Sequence, residues 1–138
     1  MVQLIIGEKG KGKTKVLLDK VNEEVLSASG NYVYLDKSSK HMYELNNKVR
    51  LIDVSNYYIE NAEQFIGFIS GIISQDRDLE KMFFDNFLSI ANCFDNFEEV
   101  LDKIEKISNT FKVDFVISMS KVESDLSDAW KNCIIASL

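Results

Sequence analysis

The chain has 138 residues, 46% hydrophobic and 28% charged, with a formal net charge of −6. That length suits one hydrophobic core and predicts a single domain over residues 1–138. The acidic balance excludes a broad nucleic-acid or anionic-membrane footprint, so any anion site has to be local.

The apolar run after Met1 meets Gly7 within a few residues, unlike a signal peptide. "FIGFISGII" at 65–73 falls far short of the ~20 residues that span a bilayer. A cytoplasmic protein without a membrane segment is expected. Cys93 and Cys133 stand apart, and the lone His41 has no cysteine or second histidine beside it. Two reduced thiols, no zinc site and an ordinary surface or partly packed histidine follow.

In chain order, "VQLII" (2–6) predicts a short buried strand ended by Gly7. Residues 13–28 have helical spacing, with Val16, Leu17, Leu18, Val21 and Val25 on one side, and Gly30 is expected to close that helix. "NYVYLD" (31–36) is the second strand, 38–47 a short helix or structured loop, and "VRLIDV" (49–54) the third strand. Residues 61–76 predict a helix with an Asn61-x-x-Gln64 capping pair. Gly67 and Gly71 share one of its faces, where another element could approach closely. "EKMFFD" (80–85) is the fourth strand. Asn96-x-x-Glu99 is expected to cap a helix over 97–109, and "KVDFVISMS" (112–120) is the fifth strand. The tail, 121–138, predicts a short helix followed by either a sixth strand or more helix. Apolar strands alternating with helices predict a three-layer α/β/α fold with a mainly parallel, five- to six-stranded sheet. Ligands of such sheets bind beyond the carboxyl ends of the strands. That draws attention to the Gly7 loop, Asp36, Asp53, Asp85, and Ser118 to Ser120.

"GEKGKGKT" (7–14) fits G-x-x-x-x-G-K-[ST], with a strand before it and a helix after. Glycines let successive backbone N–H groups turn inward around an anion, and the helix adds its unpaired N–H groups and positive dipole end. Gly7, Glu8, Lys9, Gly10, Lys11, Gly12, Lys13, Thr14 and Lys15 are therefore the expected nucleotide-binding residues. Lys13 would reach the β- and γ-phosphates, and Thr14 would offer its hydroxyl to Mg²⁺. Lys9, Lys11 and Lys15 would raise the local positive potential.

The stretch resembles the Walker A motif of P-loop nucleoside triphosphatases. The resemblance implies a partner aspartate at the end of an apolar strand, and "KMFFD", ending in Asp85, resembles Walker B. Two strands between the motifs are similar to the RecA-like division. The overall organisation resembles small bacterial ATP-binding P-loop proteins, some of them twitching-motility-like. The resemblance implies an ATP-binding protein with Mg²⁺ held by Thr14 and Asp85, and self-association or an unidentified protein partner. Relatives often carry a Glu after the Walker B Asp to polarise the attacking water, and here Asn86 follows. Asp36 is the preferred substitute base, ahead of Asp53, so Lys13, Asp85 and Asp36 are the expected catalytic residues. By the same resemblance, Ser118 or Ser120 would sense the γ-phosphate, although Ser120-x-x-Glu123 equally fits a helix cap.

Arginine occurs only at positions 50 and 77, which disfavours a small-molecule kinase clamping a second phosphorylated substrate. "SKVE" (120–123) is a poor match to the N-K-x-D loop of GTP-specific proteins, leaving ATP as the expected nucleotide. Slow or partner-stimulated ATP hydrolysis is the expected activity. The alternative is a nucleotide-responsive interaction module without significant turnover.

Overall fold

The computed structural model describes all 138 residues. Each apolar run becomes a strand of one sheet: β1 (Val2–Ile6), β2 (Asn31–Asp36), β3 (Val49–Asp53), β4 (Leu79–Phe84), β5 (Asp114–Met119) and β6 (Ile134–Ser137). All neighbouring strands are parallel, in the order β3-β2-β4-β5-β1-β6. The three-layer α/β fold expected from the sequence is thus observed, and the tail supplies the sixth strand.

The helices are α1 (Lys13–Glu24), α2 (Ala62–Gln75), α3 (Phe87–Ile90), α4 (Phe97–Phe111) and α5 (Asp128–Lys131). Strand periodicity sorts side chains to two faces. Ile5, Tyr32, Tyr34, Phe83 and Val116 meet Leu17, Leu18 and Val21 of α1 and Val25 just beyond it. The other face is the larger core: Leu4, Leu35, Phe84 and Ile117 pack with Phe65, Ile69 and Ile73 of α2 and Val100, Leu101 and Ile104 of α4.

This order places β5 between β1 and β4. Ile6 aligns with Met119, and Phe84 with Ile117. Whatever follows β1 and whatever follows β4 are therefore held one strand apart, with the end of β5 between them.

Several local expectations fail for identifiable reasons. Gly30 does not close α1, which ends through a 3₁₀ turn at Val25–Ser27. Gly30 instead lies so close to Asp78 that a Cβ there would stand 2.2 Å from the Asp78 carbonyl oxygen. Gly67 and Gly71 have nothing within 4 Å of where a Cβ would be, so no element exploits that face. Asn96 makes no side-chain cap. Ser120 caps nothing either: the turn at Glu123–Asp125 is closed by the Asp125 carboxylate accepting from the Val122 N–H. Asn61 does cap α2, accepting from the Gln64 N–H at 2.9 Å. Gln64 reaches back to the N–H of Glu60 rather than that of Asn61.

Candidate functional site

After Ile6 the chain must leave the sheet and turn back into α1. Gly7 begins the turn at φ 153°, where an added Cβ would stand 3.0 Å from the Leu138 carbonyl oxygen. Gly12 is the N-cap of α1 in the left-handed region, φ 93° and ψ 22°. An N-cap without a side chain leaves the first helical N–H groups with no side-chain acceptor. Lys13 folds back over the loop, its ammonium donating to the Glu8 carbonyl at 2.9 Å. Burial lowers its pKa, partly offset by the negative charge of Asp85.

Asp85 directly follows β4 and is buried. Its backbone N–H donates to the Leu35 carbonyl, fixing it against β2. Three hydroxyls converge on its carboxylate. Thr14 donates at 3.0 and 3.2 Å, Ser118 at 2.8 Å and Tyr34 at 3.3 Å. Burial, then the charge of Asp85, pushes the Tyr34 phenol well above its ordinary range, so it stays a donor. Ser118 also accepts from the Asn86 N–H at 3.0 Å. Asn86 itself is in the left-handed region, φ 55° and ψ 55°, at the head of α3.

Asp36 ends β2 beside Asp85 and is 7% exposed. One carboxylate oxygen accepts from the Lys37 N–H at 2.6 Å, and the other has no hydrogen-bond partner. Burial, then repulsion from Asp85, raises its pKa, while the Lys37 N–H opposes the rise. A ring nitrogen of His41 and one oxygen each of Asp36 and Asp85 lie within 4.8 Å of one another.

These groups line a cavity of about 680 Å³ at the carboxyl ends of the strands. Lys9, Gly10, Gly12, Lys13 and Thr14 form one wall, Asp36, Lys40 and His41 another, and Asp85, Ser118 and Ser120 the floor between them. Gly7, Glu8, Lys11 and Lys15 do not line it. Lys15 is turned along the outside of α1, paired with Asp19 at 2.9 Å. Asp53 is occupied in capping, accepting from the N–H and hydroxyl of Ser55. Neither arginine reaches the cavity: Arg50 lines a separate cleft between β3 and α2, and Arg77 precedes β4 at the opposite end of the sheet.

Three contributors escape sequence reasoning. Tyr34 draws no notice as a site residue, His41 reads as an ordinary surface or partly packed side chain, and Phe94 draws no notice either, yet it lines the cavity while 57% exposed. For Tyr34 a signal exists. Strand parity puts Tyr34 and Asp36 of β2, the position after Phe83 and Phe84 of β4, and Ser118 of β5 on the α1 face. For His41 and Phe94, both in irregular segments, there is none.

No family model matches the chain, and no curated protein matches it. Among solved structures it is similar to C. elegans PCH-2, at 14% sequence identity and a TM-score of 0.55. The match covers 99% of this chain and 34% of PCH-2, so the chain spans about a third of that protein's length. At this identity the likeness shows the fold, a three-layer α/β arrangement of the P-loop NTPase type. No helix is long and apolar enough to cross a membrane.

Proposed function

We propose that residues 1–138 form one cytoplasmic nucleotide-binding domain that takes ATP with Mg²⁺ and hydrolyses it slowly, or faster when a partner or second copy completes the site. One observation carries the proposal. The Thr14 hydroxyl and the Asp85 carboxylate, 71 residues apart in sequence, meet at 3.0 Å beneath a glycine-rich loop that opens α1.

The loop N–H groups and the start of α1 bind the phosphate chain. The Lys13 ammonium leaves the Glu8 carbonyl for the phosphates, whose charge offsets its burial cost. Hard oxygen donors from Thr14 and Asp85 suit Mg²⁺, which keeps several of its waters. When bound, the ion neutralises charge on the β- and γ-phosphates. Tyr34 and Ser118 keep Asp85 oriented by donating to it. Asp36 has an unpartnered buried oxygen and a raised pKa, which makes it the group best fitted to take a proton from an attacking water. Phe94, exposed at the rim, offers a face against which a base can lie.

Asn86 favours a second reading, a nucleotide-responsive interaction module with little turnover. Its side chain cannot accept a proton as a carboxylate would.

Thermal unfolding with Mg²⁺ alone, and with Mg²⁺ plus ATP, ADP or GTP, tests the proposal. ATP at about 100 times its Kd adds about 2.7 kcal/mol, a rise in Tm of roughly 10 °C for a domain of this size. Lys13→Ala is expected to abolish the shift. A folded wild type that no nucleotide stabilises would refute nucleotide binding. Turnover by the isolated chain above ~1 s⁻¹, the low end of typical enzyme rates, would exclude the module reading.

A further inference from the structure

The wall opposite the glycine loop holds His41, which the nucleotide proposal leaves unused. His41 heads the 3₁₀ turn at Met42–Glu44. Its Nδ1 is 3.0 Å from a Glu44 carboxylate oxygen. That contact favours the tautomer with the proton on Nδ1 and leaves Nε2, which has no hydrogen-bond partner, as the lone-pair nitrogen. A carboxylate holding one ring nitrogen so that the other can bind is the usual outer shell of a histidine metal ligand. The loop is itself anchored. Asn22 of α1 donates to the Glu44 carbonyl at 2.7 Å and accepts from the Asn46 N–H at 2.8 Å. A ring nitrogen of His41 lies within 4.8 Å of one oxygen each of Asp36 and Asp85, and Asp36 has a buried oxygen without a hydrogen-bond partner.

We infer that Asp36, His41 and Asp85 form a site for a divalent transition ion of the Mn²⁺ or Co²⁺ class, one that requires no nucleotide. Two carboxylates and an imidazole are a mixed oxygen and nitrogen set. Such a set suits these ions, whereas Mg²⁺ prefers oxygen alone. The ion supplies what the orphaned Asp36 oxygen lacks, a positive partner, and it relieves the repulsion between two buried carboxylates. Ligands about 2.1 Å from one ion lie about 3–3.5 Å apart, closer than the 4.8 Å limit within which these atoms fall. The remaining closure is a side-chain rotation of His41, which sits on a loop and not in the sheet. The two roles of Asp36 exclude each other, because an ion on its free oxygen occupies the lone pair that would accept a proton. Asp85 is shared with the proposed Mg²⁺ pair, but the inference stands without the nucleotide proposal.

The test uses Mn²⁺ and the full chain without nucleotide. Loss of the free-ion EPR signal reports binding, and pulsed EPR reports directly bonded nitrogen. Wild type is expected to bind Mn²⁺ with imidazole nitrogen coupling, and excess Mg²⁺ to compete poorly. His41→Gln should remove the coupling and weaken binding at least 10-fold, and Glu44→Gln should weaken it about 10- to 100-fold. Circular dichroism confirms that the variants are folded, and the wild-type coupling does not depend on them. No Mn²⁺ binding, binding without nitrogen coupling, or a His41→Gln variant that binds as wild type overturns the inference. Lys13→Ala leaves all three donors in place. A chain that binds Mn²⁺ through His41 but no ATP refutes the nucleotide proposal alone, and the converse refutes this one alone.

Discussion

Ser118→Ala isolates the group that holds Asp85 in place. Ser118 is fully buried, and its hydroxyl makes two bonds at once, donating to Asp85 at 2.8 Å and accepting from the Asn86 N–H at 3.0 Å. A hydrogen bond to a charged group contributes about 1.5–3 kcal/mol, and leaving the Asn86 N–H without its partner costs about 1 kcal/mol more. The expected loss is therefore about 2.5–4 kcal/mol, although only one oxygen atom is removed. Unfolding entropy of about 2.1 cal/mol/K per residue makes each kcal/mol worth about 3.5 °C for this chain, so Tm should fall by about 9–14 °C. Urea unfolding should show a lower midpoint with an unchanged slope. Ser120→Ala is the control. Ser120 is exposed, makes no side-chain hydrogen bond, and should stay within about 0.5 kcal/mol of wild type. If Ser118→Ala is as mild as Ser120→Ala, the hydroxyl network does not hold Asp85, and its convergence on that carboxylate has no energetic weight.

Asn86→Glu should destabilise by about 1 kcal/mol, because the position requires φ 55°; denaturant melts check this, and a neutral result would show that the left-handed conformation is not imposed. Asp36→Asn should stabilise the folded chain at neutral pH. Its folded pKa is raised by burial and by Asp85, so the ionised carboxylate carries a penalty that grows as pH rises from the unfolded through the folded value and vanishes below both. The gain should thus disappear in acid, and a gain independent of pH would point to packing instead. Asn22→Ala should cost about 1–2 kcal/mol from its two bonds to the loop at 44–46 and speed amide exchange there, while amides of β1 and β5 keep their protection.

The layer order was legible because the strands are short, nearly all apolar and separated by helices with clear stripes. The glycine loop and Asp85 were legible for a related reason: each follows an apolar strand directly, so its place in the sheet fixes its place at the site. Asp36 was legible as a strand-end acid, but nothing local shows that it abuts Asp85, since that depends on β2 pairing with β4. His41 and Phe94 lie in segments without periodicity, where a tertiary anchor such as Asn22 sets the geometry. Of the failed caps, Asn96 makes no side-chain bond to its helix, and at Ser120 the Asp125 carboxylate closes the following turn instead.

The first glycine of the loop rests against the outermost strand. Leu138 donates its N–H to the Ile6 carbonyl, and its own carbonyl closes the space beside Gly7. β6 is a four-residue edge strand whose pairing with β1 slips in register between Leu4 and Ile5. It is thus among the least firmly held strands, yet it backs the segment that shapes the loop. A pull on β6 would be felt at the bend between Ile6 and Gly7 before it reached the central strands. Peeling that edge would slacken the loop while the rest of the sheet stayed closed, which makes β6 a mechanical handle on the glycine-rich turn.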